Sequence, residues 1–124
     1  MTIFIVDDEP LIHQLLGHIF ELMGYKVIGD AYDGVEALRM YRSLVLSYRK
    51  PDLIIMNHLM PKKDGIETAL EILEIDHSAK ILFLSVDESA EERAFEIGAV
   101  GFIKKPFEMS KLLNAVKEFK PEKT

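Results

Sequence analysis

The chain has 124 residues, 48% of them hydrophobic, and 15 Lys and Arg against 21 Asp and Glu give it a net charge of −6. That length fits one domain with a single core, and the acidic balance without strong basic clustering argues against a nucleic-acid or anionic-membrane surface. No apolar run approaches the roughly 20 residues of a membrane span, no charged segment precedes the first apolar stretch, and the lack of cysteine excludes disulfides, thiol catalysis and zinc-thiolate sites.

These exclusions leave a soluble, cytoplasmic domain, whose first element is Ile3-Phe4-Ile5-Val6, a β-rich apolar run that stops at Asp7-Asp8-Glu9. Pro10 suits the first turn of a helix, in which Ile12, Leu15, Leu16, Ile19 and Met23 recur at i, i+3, i+4 spacing up to Gly24. Lys26-Val27-Ile28-Gly29 predicts a weaker, more exposed strand. Asp33-Gly34 then turns the chain into a helix carrying Val35, Leu38, Tyr41, Leu44, Val45 and Tyr48, which ends before Pro51. Leu53, Ile54, Ile55 and Met56 form an unbroken apolar run, the pattern of a strand buried on both faces, and Asn57-His58 stands where it ends. Pro61 and Asp64-Gly65 mark a loop and turn leading into a helix with Ile66, Ala69, Leu70 and Leu73. Ile81 to Leu84 is a fourth buried run ending at Ser85. Acidic residues 87–92 lead into a short helix with Ala90, Ala94, Phe95 and Ile97, their charges suiting the positive end of its dipole, and Gly98 stops it. Val100 to Ile103 is a fifth strand running into Lys104-Lys105-Pro106-Phe107, and Met109, Leu112, Leu113, Val116 and Phe119 give a last amphipathic helix. The domain is placed at residues 1–120, with a frayed tail over 121–124.

Five strands alternating with five helices predict a three-layer α/β sandwich, its strands parallel and joined by right-handed crossovers. Ligands of such sheets bind at the carboxyl ends of the strands, where Asp7-Asp8, Asn57, Ser85 and Lys105 converge. Two adjacent carboxylates at one strand end repel each other, which points to a hard divalent cation with oxygen ligands, and magnesium fits. Taken singly, each residue has a plainer reading as an acidic first turn, a hydroxyl serving loop backbone, or a solvated lysine. The joint pattern favours a site. His58 alternates to the other side of the strand from Asn57 and is expected to be packed or solvated. His13, His18 and His77 show no ligand spacing, and Met56 and Met60 read as gap-fillers.

The pieces IFIVDDEP, DGVEAL, PDLIIMNHLMPKKDG, ILFLS and GAVGFIKKPF, in this order, resemble the receiver domain of two-component response regulators over almost the whole chain. The resemblance implies a flavodoxin-like, five-stranded parallel sheet of order 2-1-3-4-5 with five helices. By position it implies that Asp8 ligates magnesium directly, that Asp7 acts largely through a bound water, and that Asn57 and the backbone carbonyl of Leu59 complete the metal set. It further implies that Ser85 and Lys105 hold the phosphoryl group, that Ser85 and Phe102 switch, and that the Lys105-Pro106 peptide is cis. The implied partners are a sensor histidine kinase or phosphotransfer protein, and a downstream protein on the face of the fourth helix, fifth strand and fifth helix. No nucleic acid or membrane is implied, and the protein is expected to be a monomer or weak homodimer rather than an enzyme.

The departure is Asn57, at the position where the family has the aspartate that accepts the phosphoryl group. A carboxylate offers anionic oxygen to phosphorus, whereas an amide is neutral and its nitrogen lone pair is delocalised. The chain is therefore expected not to be phosphorylated, and to bind magnesium weakly. Two origins fit: an engineered block, favoured by the otherwise intact pocket, or a natural receiver that works without phosphorylation. A magnesium-dependent phosphatase or phosphotransferase using Asp7 as nucleophile is the alternative of another class. Val86 is larger than the family usually has beside the pocket, and the segment from Ser85 to Gly98 is slightly short.

Overall fold

The computed structural model describes residues 1–121, so the expected tail lies outside the described residues except for Pro121. Strands β1 (Thr2–Val6), β2 (Lys26–Ala31), β3 (Leu53–Met56), β4 (Ile81–Ser85) and β5 (Gly101–Lys104) make one sheet of order β2-β1-β3-β4-β5, with every adjacent pair parallel. Helices α1 (Pro10–Leu22), α2 (Gly34–Leu46), α3 (Gly65–Ile75), α4 (Glu91–Glu96) and α5 (Met109–Glu118) alternate with them, a 3₁₀ turn at Glu88–Ala90 preceding α4.

Alternation along the strands sorts the core into two layers. Phe4, Val6, Ile54, Met56, Ile81 and Phe83 meet Ala37, Leu38 and Tyr41 of α2, Ile66, Ala69 and Ile72 of α3, and Ala94 of α4. Ile3, Ile5, Leu53, Ile55, Leu82, Leu84 and Ile103 meet Leu16, Ile19 and Phe20 of α1 and Leu112 and Val116 of α5. The central strands are covered on both faces, which is why β3 needs no polar alternation. Each large side chain so buried contributes about 1.5–3 kcal/mol.

The elements depart from the sequence reading at their edges. β2 continues past Gly29, because Asp30 and Ala31 pair with Ile5 and Val6. β5 begins and ends one residue later than expected, with Val100 leading in. Tyr48 keeps the helical spacing of α2 but falls beyond its end, at a φ of 56°, and the residue is 97% exposed. Val35, Leu70 and Phe95 also fit the apolar stripes yet are exposed, because they lie at the margins of faces whose centres make the contact.

Two local devices place α3 against the end of β3. Asp64 caps the helix through a reciprocal pair, its carboxylate accepting from the Glu67 N–H (2.9 Å) and the Glu67 carboxylate accepting from the Asp64 N–H (3.5 Å). Gly65 follows, and a Cβ there would collide with the carbonyl oxygen of Asn57. Only glycine lets the helix start this close to the strand end.

At the opposite edge of the sheet, the buried Tyr41 hydroxyl donates to Asp76 Oδ2 (2.9 Å), which also meets the Lys50 ammonium (2.9 Å), while the Ser78 hydroxyl donates to Oδ1 (2.7 Å). Burial opposes the Asp76 charge, but these bonds outweigh it and hold the carboxyl well below its ordinary value of 3.8. Burial and the adjacent Asp76 together push the Tyr41 hydroxyl up. A depressed carboxyl adds stability that is complete above its unfolded value and is lost as pH falls toward the folded one. Asp76→Asn is accordingly expected to cost about 1.5–3 kcal/mol at neutral pH. In urea unfolding the gap to the unaltered chain should narrow below about pH 4. A gap independent of pH would show that the charge of Asp76 contributes nothing.

Candidate functional site

The strand ends are stitched to the sheet by their own backbone. The Asp7 N–H donates to Ala31 O (3.1 Å), the Asn57 N–H to Val6 O (2.9 Å) and the Lys105 N–H to Ser85 O (2.8 Å). Asp7, Asn57, Ser85 and Lys105 thus stand side by side at one edge, all four buried. Asp8 and Glu9 are exposed, and with Asp7 they present three carboxylate oxygens within 4.8 Å of one another.

Several oxygens of this edge already receive a hydrogen. Asp7 Oδ1 accepts from the Glu9 N–H (2.9 Å), and Asp7 Oδ2 accepts from the Lys105 ammonium (2.6 Å). Asn57 Nδ2 donates to Asp8 Oδ1 (3.1 Å) and to the backbone carbonyl of Leu59 (2.9 Å). The Leu59 side chain faces solvent, so this residue serves the pocket through its backbone alone. Asp7, Asp8 and the Leu59 carbonyl are hard oxygen donors of the kind magnesium takes. Asn57 presents hydrogens to the same space.

Ser85 is fully buried at the end of β4, and its Oγ accepts from the Asp87 N–H (3.2 Å). Phe102 is half-buried and stacks on Phe83, with centroids 6.2 Å apart and planes inclined by 15°. Beside it Lys104 pairs with Glu88 (3.0 Å), and the Lys105-Pro106 peptide is cis. The exposed Val86 follows Ser85 at the mouth of the site.

Two histidines that the sequence reading set aside support the site's loops. His13 is buried, its ring 4.2 Å from that of Tyr32, with Nδ1 2.7 Å from Asp30 Oδ1 and Nε2 2.7 Å from the carbonyl of Asp7. Through these two contacts the ring ties the end of β2 to the acidic loop. No sequence spacing reveals this, because Asp30 reaches His13 only once β2 has paired with β1. His58 is packed, as expected, and accepts from the Ile66 N–H at Nδ1 (3.4 Å). Its Nε2 lies 3.9 Å from Asp87 Oδ2, linking the loop after β3 to the loop after β4. The Ser89 hydroxyl, ahead of smaller contributions from His58 and Arg93, holds the Asp87 carboxyl below its usual value against the opposing effect of burial.

A parallel sheet of this order, with helices on both faces, acidic residues after β1 and a buried lysine after β5, defines the flavodoxin-like α/β class. The chain belongs to the response regulator receiver domain family, whose model matches residues 3–117. Chemotaxis protein CheY of Thermotoga maritima is 36% identical over 116 residues, which is 92% of each chain. CheY of Borrelia burgdorferi, solved in a CheX-CheY-BeF3-Mg complex, superposes with a TM-score of 0.89 at 31% identity, covering 98% of this chain and 90% of that one. Response regulator TrrA of Thermotoga maritima, solved with Mg and BeF, gives a TM-score of 0.84 at 31% identity, covering 96% and 98%. Among the described residues, no helix is long and apolar enough to cross a membrane.

Proposed function

We propose that the chain is a receiver domain that signals by docking protein partners without carrying an aspartyl phosphate, because Asn57 stands at the phosphoacceptor position. The observation that carries this reading is Asn57 itself, buried at the end of the central strand and flanked by Asp7, Asp8, Ser85 and Lys105. Its carboxamide has no anionic oxygen with which to attack phosphorus. Ser85 is turned to its own loop and His58 is packed between two others, so neither replaces it. Engineering and natural loss lead to the same chemistry. A phosphatase or phosphotransferase built on Asp7 is disfavoured, since both of its carboxylate oxygens are engaged and its side chain is 3% exposed.

Asp7, Asp8 and the Leu59 carbonyl would hold magnesium, weakly, and the cation would supply neutralisation of the acidic edge. Upstream the partner is a sensor histidine kinase or phosphotransfer protein in the cytoplasm. Downstream it is a protein bound at α4, β5 and α5, where Phe95, Phe102 and Lys104 offer an aromatic and cationic surface. The isolated domain is a monomer or weak homodimer. NMR shift mapping with such a partner is expected to place the footprint on that face. A footprint wholly on α1 would instead mark a kinase-side contact and remove the docking assignment.

Incubation with acetyl phosphate and magnesium tests the reading as a whole. Intact mass spectrometry is expected to find the chain unmodified, and gain of a phosphoryl group would identify another acceptor and overturn it.

A further inference from the structure

A cluster of carboxylates and carbonyls at a strand edge needs positive charge or hydrogens to hold it together. Here the hydrogens come from within the chain. Both N–H groups of the Asn57 carboxamide are used, one on Asp8 Oδ1 (3.1 Å) and one on the Leu59 carbonyl (2.9 Å), while Lys105 neutralises Asp7 (2.6 Å). Asn57 is 5% exposed, so water cannot readily replace either bond. The amide can point only one way in the metal-free pocket. Turned over, its Oδ1 would face the Asp8 carboxylate and the Leu59 carbonyl, three acceptors with no hydrogen among them.

We propose that the Asn57 carboxamide is a built-in substitute for the divalent cation, bridging Asp8 to Leu59 so that the acidic pocket is closed and complete without metal. Magnesium enters only by breaking both bonds and turning the amide over, and Asn57 is therefore a competitor of the cation before it is its ligand. This deepens the receiver reading of the same site and rests on it for the identity of the cation. The two fail separately: phosphoryl uptake by the unaltered chain would remove the proposed function, whereas the tests below concern magnesium and the amide alone.

The experiment compares the unaltered chain with Asn57→Ala and Asn57→Asp, using magnesium chloride as the probe and EDTA as the metal-free reference. In EDTA the unaltered chain is expected to show an Asn57 side-chain NH₂ pair with well-separated, slowly exchanging proton resonances. Its melting temperature should be the same in EDTA and in about 1 mM magnesium, below the weak affinity expected of an oxygen site short of one carboxylate. Asn57→Ala removes the competitor together with the potential ligand, and is expected to bind magnesium at least as tightly as the unaltered chain by NMR titration of Asp8 and Leu59. Asn57→Asp places like charges together, and should lose roughly 4 °C or more of melting temperature in EDTA and regain it with magnesium. A roughly tenfold weaker affinity in Asn57→Ala would make Asn57 an ordinary ligand and overturn the proposal. So would a rapidly exchanging, solvent-like Asn57 amide in the metal-free protein.

Discussion

Asn57→Asp is expected to form a magnesium-dependent, base-labile acyl phosphate with acetyl phosphate, and the unaltered chain to form none. The substitution adds the anionic oxygen that attack on phosphorus requires and changes the side-chain volume little. The surroundings are already in place: Lys105 lies 2.6 Å from Asp7 at the same edge, and Ser85 is buried beside it. Turned onto a phosphoryl group, the Lys105 ammonium and the Ser85 hydroxyl would stabilise the transferring charge. The cost falls on the metal-free state, where the bond between Asn57 and Asp8 becomes a contact of two carboxylates. Two unit charges about 4 Å apart repel by about 4 kcal/mol at an effective dielectric of 20. Phosphorylation should therefore disappear in EDTA, together with part of the stability. If Asn57→Asp stays unmodified with a competent donor, the pocket has lost more than one residue, and a natural receiver that works without phosphorylation becomes the better account.

Lys105→Met is expected to cost about 3–5 kcal/mol, because it leaves Asp7 as an uncompensated charge. The two side chains are 8% and 3% exposed, so water does little to replace the lost partner. Glu9, 3.8 Å from the ammonium and mostly exposed, adds little. Asp7→Asn strands the ammonium in the same way. The double variant, Asp7→Asn with Lys105→Met, should recover most of the loss, since replacing both members of a buried pair is often close to neutral. Urea unfolding of the four proteins gives the coupling directly. Single costs that simply add would mean that the pair does not hold the edge together.

The apolar runs made most of this legible in the sequence. Leu53 to Met56 and Ile81 to Leu84 lack polar alternation because helices cover both faces of β3 and β4, and that burial is what the runs record. Strand order was not readable from the runs themselves, and came from the resemblance carried by motifs such as IFIVDDEP and GAVGFIKKPF. Local rules failed where tertiary pairing decides. Gly29 reads as the end of β2, yet the strand runs on because Asp30 and Ala31 pair with Ile5 and Val6, and only that pairing brings the Asp30 carboxylate to His13, seventeen residues earlier. Tyr48 fits the period of α2, but the helix ends two residues before it. At the site, the residue types were legible and their engagement was not. That Asn57 turns its hydrogens on Asp8 depends on a contact across 49 residues, which no spacing along the chain encodes.

Beryllofluoride offers the most direct measurement, since it mimics a phosphoryl group only by bonding to a carboxylate oxygen. The amide spectrum of the unaltered, ¹⁵N-labelled chain in magnesium is compared before and after its addition. The account predicts that Ser85, Phe102 and Lys105 do not move, and that they move in Asn57→Asp under the same conditions. Shifts at those three residues in the unaltered chain, beyond those caused by magnesium alone, would contradict it.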